Sequence, residues 1–237
     1  MKIKRKLLGL VALGATGAAL AVSVHTADGA GLDTYDDYSR ITQRSAGQFW
    51  SGGAKAGQWS WRTDKPGEYS INWTEEDPNS RERFLRSRSG WLLLDGWSGN
   101  GTYYRQRVTE ERIGDGHCSG MKPVRSDGHR QHYVKWRIPQ GAYCLDAKGT
   151  ITEESSGKTF HFRHRQVWSP PAPCENAYIK DRTCIKQHES WWDDNQHPMR
   201  KTRERDQYLA KGLGMAFAIR QTVPSDWSAD MKDHWTY

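Results

Sequence analysis

The ten residues from Thr159 to Trp168, "TFHFRHRQVW", alternate between apolar or aromatic side chains and basic ones, and this pattern decides the fold class. Successive side chains of a β-strand point to opposite faces of the sheet, so a period of two indicates a strand. One face would carry Phe160, Phe162, His164, Gln166 and Trp168, and the other would carry His161, Arg163 and Arg165. We therefore expect a strand with one face against the core and a basic face toward solvent.

Further stretches with the same short period follow one another from Phe49 to about Val167, separated by turn sequences such as KPGE, SGNG and SDGH. Strands of this length and spacing are typical of all-β domains. The stretches are 58–63, 69–74, 83–88, 91–97, 102–113, 132–138 and 143–147. The predicted fold is mostly β: an antiparallel β-sandwich, jelly-roll-like, or a barrel.

The beginning of the chain differs from this β-rich part. Residues 1–30 place a basic segment before an apolar, alanine-rich stretch, which is the pattern of a secretory signal peptide with its cleavage region. An uncleaved membrane anchor is the alternative reading of this stretch. Residues 31–48 are polar and predict a mobile lead-in or a short helix around residues 35–43. Residues 49–237 are then expected to form a single β-rich domain.

The end of the chain shows a different periodicity. Leu209, Leu213, Ala216 and Phe217 are three or four residues apart, as on one face of an amphipathic helix. We expect a C-terminal helix over residues 203–221, packed against the sheet. This helix would be the only long one of the domain.

The chain has four cysteines, Cys118, Cys144, Cys174 and Cys184, and none of them lies in a C-x-x-C motif. In an exported chain this number favours two disulfides over a zinc site. Three pairings are possible. Pairing of sequence neighbours, Cys118 with Cys144 and Cys174 with Cys184, is preferred because antiparallel sheets keep neighbouring strands close in space. The cysteines and the leader together predict a secreted, extracellular monomer without membrane contact after cleavage.

The formal net charge of +7 falls to +4 without residues 1–30, so any preference for anions must come from how the charges are placed. Three predicted strands each place cations on one face together with an aromatic residue or a histidine. Arginine binds carboxylates, sulfates and phosphates through paired hydrogen bonds, and tyrosine offers a flat face to a sugar ring. The residues are Tyr103, Arg105 and Arg107; Gln131, Tyr133, Lys135 and Arg137; and His161, Arg163 and Arg165. The alternative is that these are simply the solvated faces of an antiparallel sheet.

This basic face suggests that the protein binds and degrades an acidic polysaccharide. A lyase acting on uronate polymers by β-elimination must neutralise a carboxylate and remove the adjacent proton. Tyr133 and His161 are the candidate catalytic residues, and substrate binding is assigned to Gln131, Lys135, Arg137, Arg163, Arg165, Tyr103, Arg105 and Arg107. Alternatives are a non-catalytic module that binds a polyanion or the cell wall, and a lipocalin-like carrier of a small ligand. Nucleic acid is not favoured as a partner.

The other motifs give weaker evidence for a metal site or a catalytic site. The stretch 186–198, "KQHESWWDDNQHP", would need H-E-x-x-H for a metalloprotease helix, but Trp192 occupies the last position of that motif. Asp193, Asp194 and Asn195 offer oxygen ligands for a divalent cation, and a polar loop is the alternative. We find no G-x-S-x-G motif of a serine hydrolase. No cofactor is expected beyond this weak candidate cation site.

Overall fold

Strands make up most of the protein, as the period of two predicts. The computed structural model describes residues 32–43, 45–73, 80–99, 101–125, 128–175, 179, 181–195 and 198–236. The expected signal peptide over residues 1–30 lies outside this part of the chain and stays a prediction. No helix within the described part is long and apolar enough to cross a membrane.

In the described part of the chain, two short helical segments precede fifteen strands. Helix α1 spans Tyr35–Ser39, and a 3-10 helix spans Ile41–Gln43. The strands are β1 Ser45–Ser51, β2 Ala54–Lys65, β3 Glu68–Trp73, β4 Ser80–Arg86, β5 Trp91–Gly99, β6 Thr102–Asp115, β7 Lys122–Pro123, β8 Gln131–Lys135, β9 Tyr143–Glu153, β10 Thr159–Trp168, β11 Ala172–Pro173, β12 Thr183–Asp193, β13 Arg200–Ala210, β14 Gly214–Val223 and β15 Trp227–Thr236.

The strands join in one antiparallel sheet with the order β7-β6-β9-β10-β12-β13-β14-β15-β1-β2-β3-β4-β5-β8, and β11 pairs with β12 at its side. Strand β5 divides its pairing: its first half pairs with β8 and its second half with β6. The mostly β, antiparallel class is therefore confirmed. Whether the layers form a sandwich or a barrel stays a prediction.

Strand β10 has the boundaries and the two faces that its sequence predicts. Phe160, Phe162, His164, Gln166 and Trp168 are buried, while the side chains between them are exposed or partly exposed. The strand pairs with β9 along its whole length and with β12 from Phe162 to Trp168. Alternation along this strand was thus sufficient to separate its inner from its outer residues.

The predicted C-terminal helix over residues 203–221 is wrong. These residues form most of β13 and β14, an antiparallel hairpin joined by a turn at residues 211–213. Gly212 has a positive φ of 79°, a left-handed conformation that suits the turn and would interrupt a helix. In β13 the buried Gln207 and Leu209 alternate with Asp206 and Tyr208, so the strand period overrides the helical spacing of the leucines.

Both predicted disulfides are confirmed. Cys118 bonds to Cys144, and Cys174 bonds to Cys184. The first bridge ties the turn after β6 to β9, and the second ties the segment after β11 to β12. Two disulfides are consistent with an extracellular protein, since such bonds persist in oxidising compartments.

The core accounts for many of the aromatic residues. Trp59, Trp61 and Trp168 are fully buried, and the Phe84 ring lies 5.5 Å from that of Trp61. Helix α1 closes over this cluster, because the buried Tyr35 ring meets Trp168 edge-on at 6.0 Å. Burial of large rings is a main source of stability in a sheet protein. Most of these aromatic side chains therefore serve the core and are not offered to a ligand.

Candidate functional site: an arginine groove

An open groove of about 960 Å³ lies across β3, β4, β5 and β6, beside the segment that precedes β8. Arginines dominate its wall. We call it the arginine groove and define it by Arg81, Arg83, Arg105, Arg107 and Arg130, together with Asn72, Asp95, Ser98, Tyr103, Gln106, Gly128, His129 and Glu154. Its openness and its polar lining differ from the enclosed, mostly apolar pockets that bury small ligands.

Alternation along β4 and β6 brings arginines to the groove. In β4 the Arg83 side chain is exposed while Phe84 is buried in the core, and in β6 Arg105 and Arg107 are exposed while Gln106 is buried. Because adjacent strands lie about 4.8 Å apart, residues on neighbouring strands can act on one ligand. The sheet thus converts single arginines on separate strands into one cationic surface.

Gly96 keeps the centre of the groove open. It lies between Arg83 on β4 and Arg105 on β6 in the pairing register. A Cβ atom at Gly96 would lie 2.7 Å from the Tyr103 hydroxyl and 2.7 Å from the Tyr104 carbonyl oxygen, both too close for ordinary contact. Glycine at this position therefore allows Tyr103 to cross β5 and to line the groove.

Tyr103 and Arg83 form a pair within the groove. The Arg83 guanidinium carbon is 4.5 Å from the centre of the Tyr103 ring, a cation–π distance. Burial raises the pKa of Tyr103, and the opposing effect of Arg83 does not offset it. The tyrosine hydroxyl is therefore a proton and hydrogen-bond donor at neutral pH.

Two carboxylates in the groove bind two of its arginines. Arg130 Nε donates a hydrogen bond to Asp95 Oδ1 at 2.6 Å, and Arg105 forms an ion pair with Glu154. Both pairs are partly solvent-exposed, so they position the arginines more than they stabilise the fold.

The remaining arginines have neutral partners or no ionic partner within the described residues. Arg81 Nε donates to Asn72 Oδ1 at 3.1 Å, and Arg107 has no hydrogen bond or ion pair from its side chain there. The described lining residues thus hold five arginines against two carboxylates. This excess of positive charge makes the groove attractive to anions.

The groove gathers only some of the residues that the sequence predicts for the site. Tyr103, Arg105 and Arg107 line it, as their shared face on one strand suggested. Arg83 belongs to a stretch that was predicted as a strand, and its alternation with buried Phe84 was a usable signal. Arg130 precedes β8 outside any alternating pattern, so the sequence offered no signal for it.

Gln131 and Tyr133, predicted for substrate binding and catalysis, are buried inside the protein. Gln131 Oε1 accepts a hydrogen bond from Gln106 Nε2 at 2.6 Å, and the Tyr133 hydroxyl donates a hydrogen bond to Gln187 Oε1 at 3.2 Å. Burial raises the pKa of Tyr133 well above its ordinary value. Both side chains are therefore hydrogen-bonded to other buried side chains, in a strand whose residues 131–134 are all buried.

Arg163 and Arg165 bind a carboxylate of their own protein. Arg163 donates to Asp146 from Nε at 2.8 Å and from Nη2 at 2.5 Å, and Arg165 donates from Nε at 3.1 Å and from Nη2 at 2.7 Å. Burial alone would raise the pKa of Asp146, but the hydrogen bonds from both arginines outweigh it and lower the pKa. This geometry gives the two arginines a structural role.

The other predicted residues lie outside the groove. His161 is exposed on β10, and its Nδ1 lies 3.0 Å from Asp194 Oδ2. Lys135 Nζ is 5.5 Å from the Trp91 ring centre, and Arg137 is exposed and pairs through its backbone with Thr34. The structure therefore does not bring His161 together with Tyr133, which is buried on β8. The catalytic role of both residues stays a prediction.

At the candidate cation site, the side-chain oxygens of Asp193, Asp194 and Asn195 already accept hydrogen bonds from protein groups. Asp193 Oδ2 accepts from Thr202 Oγ1 at 2.7 Å, Asp194 Oδ1 accepts from the His161 backbone N–H at 2.7 Å, and Asn195 Oδ1 accepts from Lys158 Nζ at 2.7 Å. Within the described residues, no group of three or more histidine, cysteine or acidic side chains is arranged to hold a metal ion. We assign no metal to this segment.

The chain matches no protein-family model, and neither a curated protein nor a solved structure is significantly similar to it. The function is therefore inferred from the geometry and charge of the groove.

Proposed function

We propose that this protein is a secreted, extracellular protein that binds an acidic polysaccharide in the arginine groove. One observation carries the proposal: five arginines and a tyrosine line an open groove whose described residues hold only two carboxylates. A guanidinium group binds a carboxylate through two parallel hydrogen bonds, and several such groups in a row match a polymer with regularly spaced charges. The Tyr103 ring adds a flat surface that suits a sugar ring.

The openness of the groove favours a polymer over a small, enclosed ligand. A lipocalin-like carrier would need an apolar interior with room for its ligand. The interior positions of this sheet instead hold packed rings such as Trp59, Trp61 and Phe84. The proposal for a polymer in the groove therefore has more support than the carrier.

Cleavage by β-elimination is a second candidate, favoured by the position of Tyr103. Its protonated hydroxyl lies among arginines, where it could donate a proton to the oxygen of the leaving sugar. The arginines would neutralise the substrate carboxylate, and His129 in the same groove could accept the proton from the adjacent carbon. Such a reaction leaves an unsaturated sugar that absorbs ultraviolet light.

Isothermal titration calorimetry with uronate oligosaccharides tests the binding proposal. Replacing Arg83 and Arg107 together with glutamine should weaken binding by roughly one and a half to three orders of magnitude, since each removed arginine costs about 1–2 kcal/mol. The matched control replaces Arg62 and Arg112, two exposed arginines outside the groove, and should leave affinity within about threefold of the wild type. Equal losses in both variants would show that only net charge matters and would refute the groove as the site.

Ultraviolet absorbance of the same mixtures separates binding from cleavage. A lyase would increase absorbance with time, and Tyr103→Phe would abolish the increase while retaining affinity. Binding without any increase would leave the binding proposal standing and reject the lyase.

A further inference from the structure

The two carboxylates of the groove face the same space as the proposed ligand. Asp95 holds Arg130, and Glu154 holds Arg105, so two of the five arginines already have a negative partner. The side chains of Asp95 and Glu154 are 29% and 41% exposed, so a polyanion in the groove would meet their charge. A groove built only for the strongest attraction of anions would not contain them.

Like charges in a binding site select against wrong partners. An anion that must lie next to a carboxylate binds more weakly because like charges repel, unless the carboxylate is displaced. A polyuronate has one carboxylate on each sugar and can place these groups on Arg81, Arg83 and Arg107, for which the described residues supply no ionic partner. A heavily sulfated polymer has more charges on each sugar, and some of them must approach Asp95 or Glu154.

We propose that Asp95 and Glu154 determine the specificity of the arginine groove, admitting polyuronates of low charge density and rejecting heavily sulfated polymers. The arrangement that carries this inference is a pair of partly exposed carboxylates interspersed among five arginines in one groove. The inference rests on the proposed function, because it assigns the substrate class of that same site.

The test compares the dissociation constants of a uronate oligosaccharide and a heparin oligosaccharide of equal length, at the same ionic strength. The wild type should prefer the oligouronate. The variant with Asp95→Asn and Glu154→Gln should gain affinity for heparin by roughly tenfold or more and for the oligouronate by less than about threefold. Glu154→Gln alone, at a side chain that is 41% exposed, should give a smaller change in the same direction.

A control with the same change in net charge keeps this test specific. Glu68→Gln with Glu110→Gln removes two partly exposed carboxylates outside the groove, and the preference should stay that of the wild type. Equal gains for both ligands in the groove variant, or the same gain in the control, would overturn the proposed specificity while leaving the groove as the site. Wild-type protein that binds neither oligosaccharide would instead overturn the proposed function itself.

Discussion

Replacing both Arg163 and Arg165 with glutamine should destabilise the protein, although the two arginines lie on its basic outer face. Asp146 is 9% exposed and accepts four hydrogen bonds from these two guanidinium groups. Without them, a nearly buried carboxylate would lose both cationic partners that the described residues give it, which is more costly than losing an exposed ion pair.

The magnitude follows from the burial of each partner. A hydrogen bond to a charged group contributes about 1.5–3 kcal/mol, but solvent screens part of it here because both arginine side chains are 36% exposed. We expect the double substitution to lower the free energy of unfolding by about 2–4 kcal/mol at neutral pH. The loss should shrink at low pH. The hydrogen bonds lower the pKa of Asp146 in the folded wild type, so their contribution is present above about pH 4 and disappears as the carboxylate becomes protonated.

Urea denaturation followed by tryptophan fluorescence, at neutral pH and at about pH 3, measures both effects. The variant with Arg83→Gln and Arg107→Gln is the comparison, because those arginines belong to the groove and hold no buried carboxylate in the described structure. It should unfold at nearly the wild-type urea concentration. If the variant at Arg163 and Arg165 kept its stability but bound polyuronate more weakly, this reasoning would be refuted. Both arginines would then be assigned to ligand binding.

The two histidines of β10 should also respond differently to substitution. His164→Ala should lower the free energy of unfolding by about 2–4 kcal/mol, because this residue is only 3% exposed and packs against neighbouring side chains. His161→Ala should change the same free energy by less than about 1 kcal/mol, because its side chain is 68% exposed. The same urea titration measures both variants. Burial lowers the pKa of His164, although Glu189 opposes this effect. Below about pH 6.5 the unfolded chain therefore takes up a proton more readily than the folded protein, and stability falls. The stability of His164→Gln should depend less steeply on pH. Gly96→Ala should weaken polyuronate binding by roughly threefold or more in calorimetry, because its Cβ would displace Tyr103 from the groove.

The strands that the sequence predicted correctly are those whose own alternation was uninterrupted. Strand β10 is the clearest example, because hydrophobic and basic side chains alternate over its whole length. Strand β12 was missed and was interpreted as part of a polar loop, since the residues that it buries include Gln187 and Glu189. Their partners are Gln166 on β10 and Arg205 on β13. Polar residues can replace apolar ones inside a protein when such partners exist, and a single strand does not reveal them.

The candidate site was predictable only as separate pieces. Arg105 and Arg107 followed from the alternation of β6, but the sequence does not say that β5 pairs with β6 and β4 with β5. The order of strands also decided which basic faces remain available. Arg163 and Arg165 have the same alternation as the groove arginines, yet Asp146 on the neighbouring strand β9 binds both of them. The neighbouring strand therefore decides whether such an arginine remains in the groove or binds a carboxylate of its own protein.

Nuclear magnetic resonance of the arginine Nε–H groups, during titration with a uronate oligosaccharide, tests most directly whether the groove is the binding site. The groove arginines and the arginines bound to Asp146 both carry this group, so one experiment compares the two sets within one protein. The signals of Arg83, Arg105 and Arg107 should shift as the ligand binds, while those of Arg163 and Arg165 should stay fixed on Asp146. Shifts at Arg163 and Arg165 with unchanged signals in the groove would contradict this account.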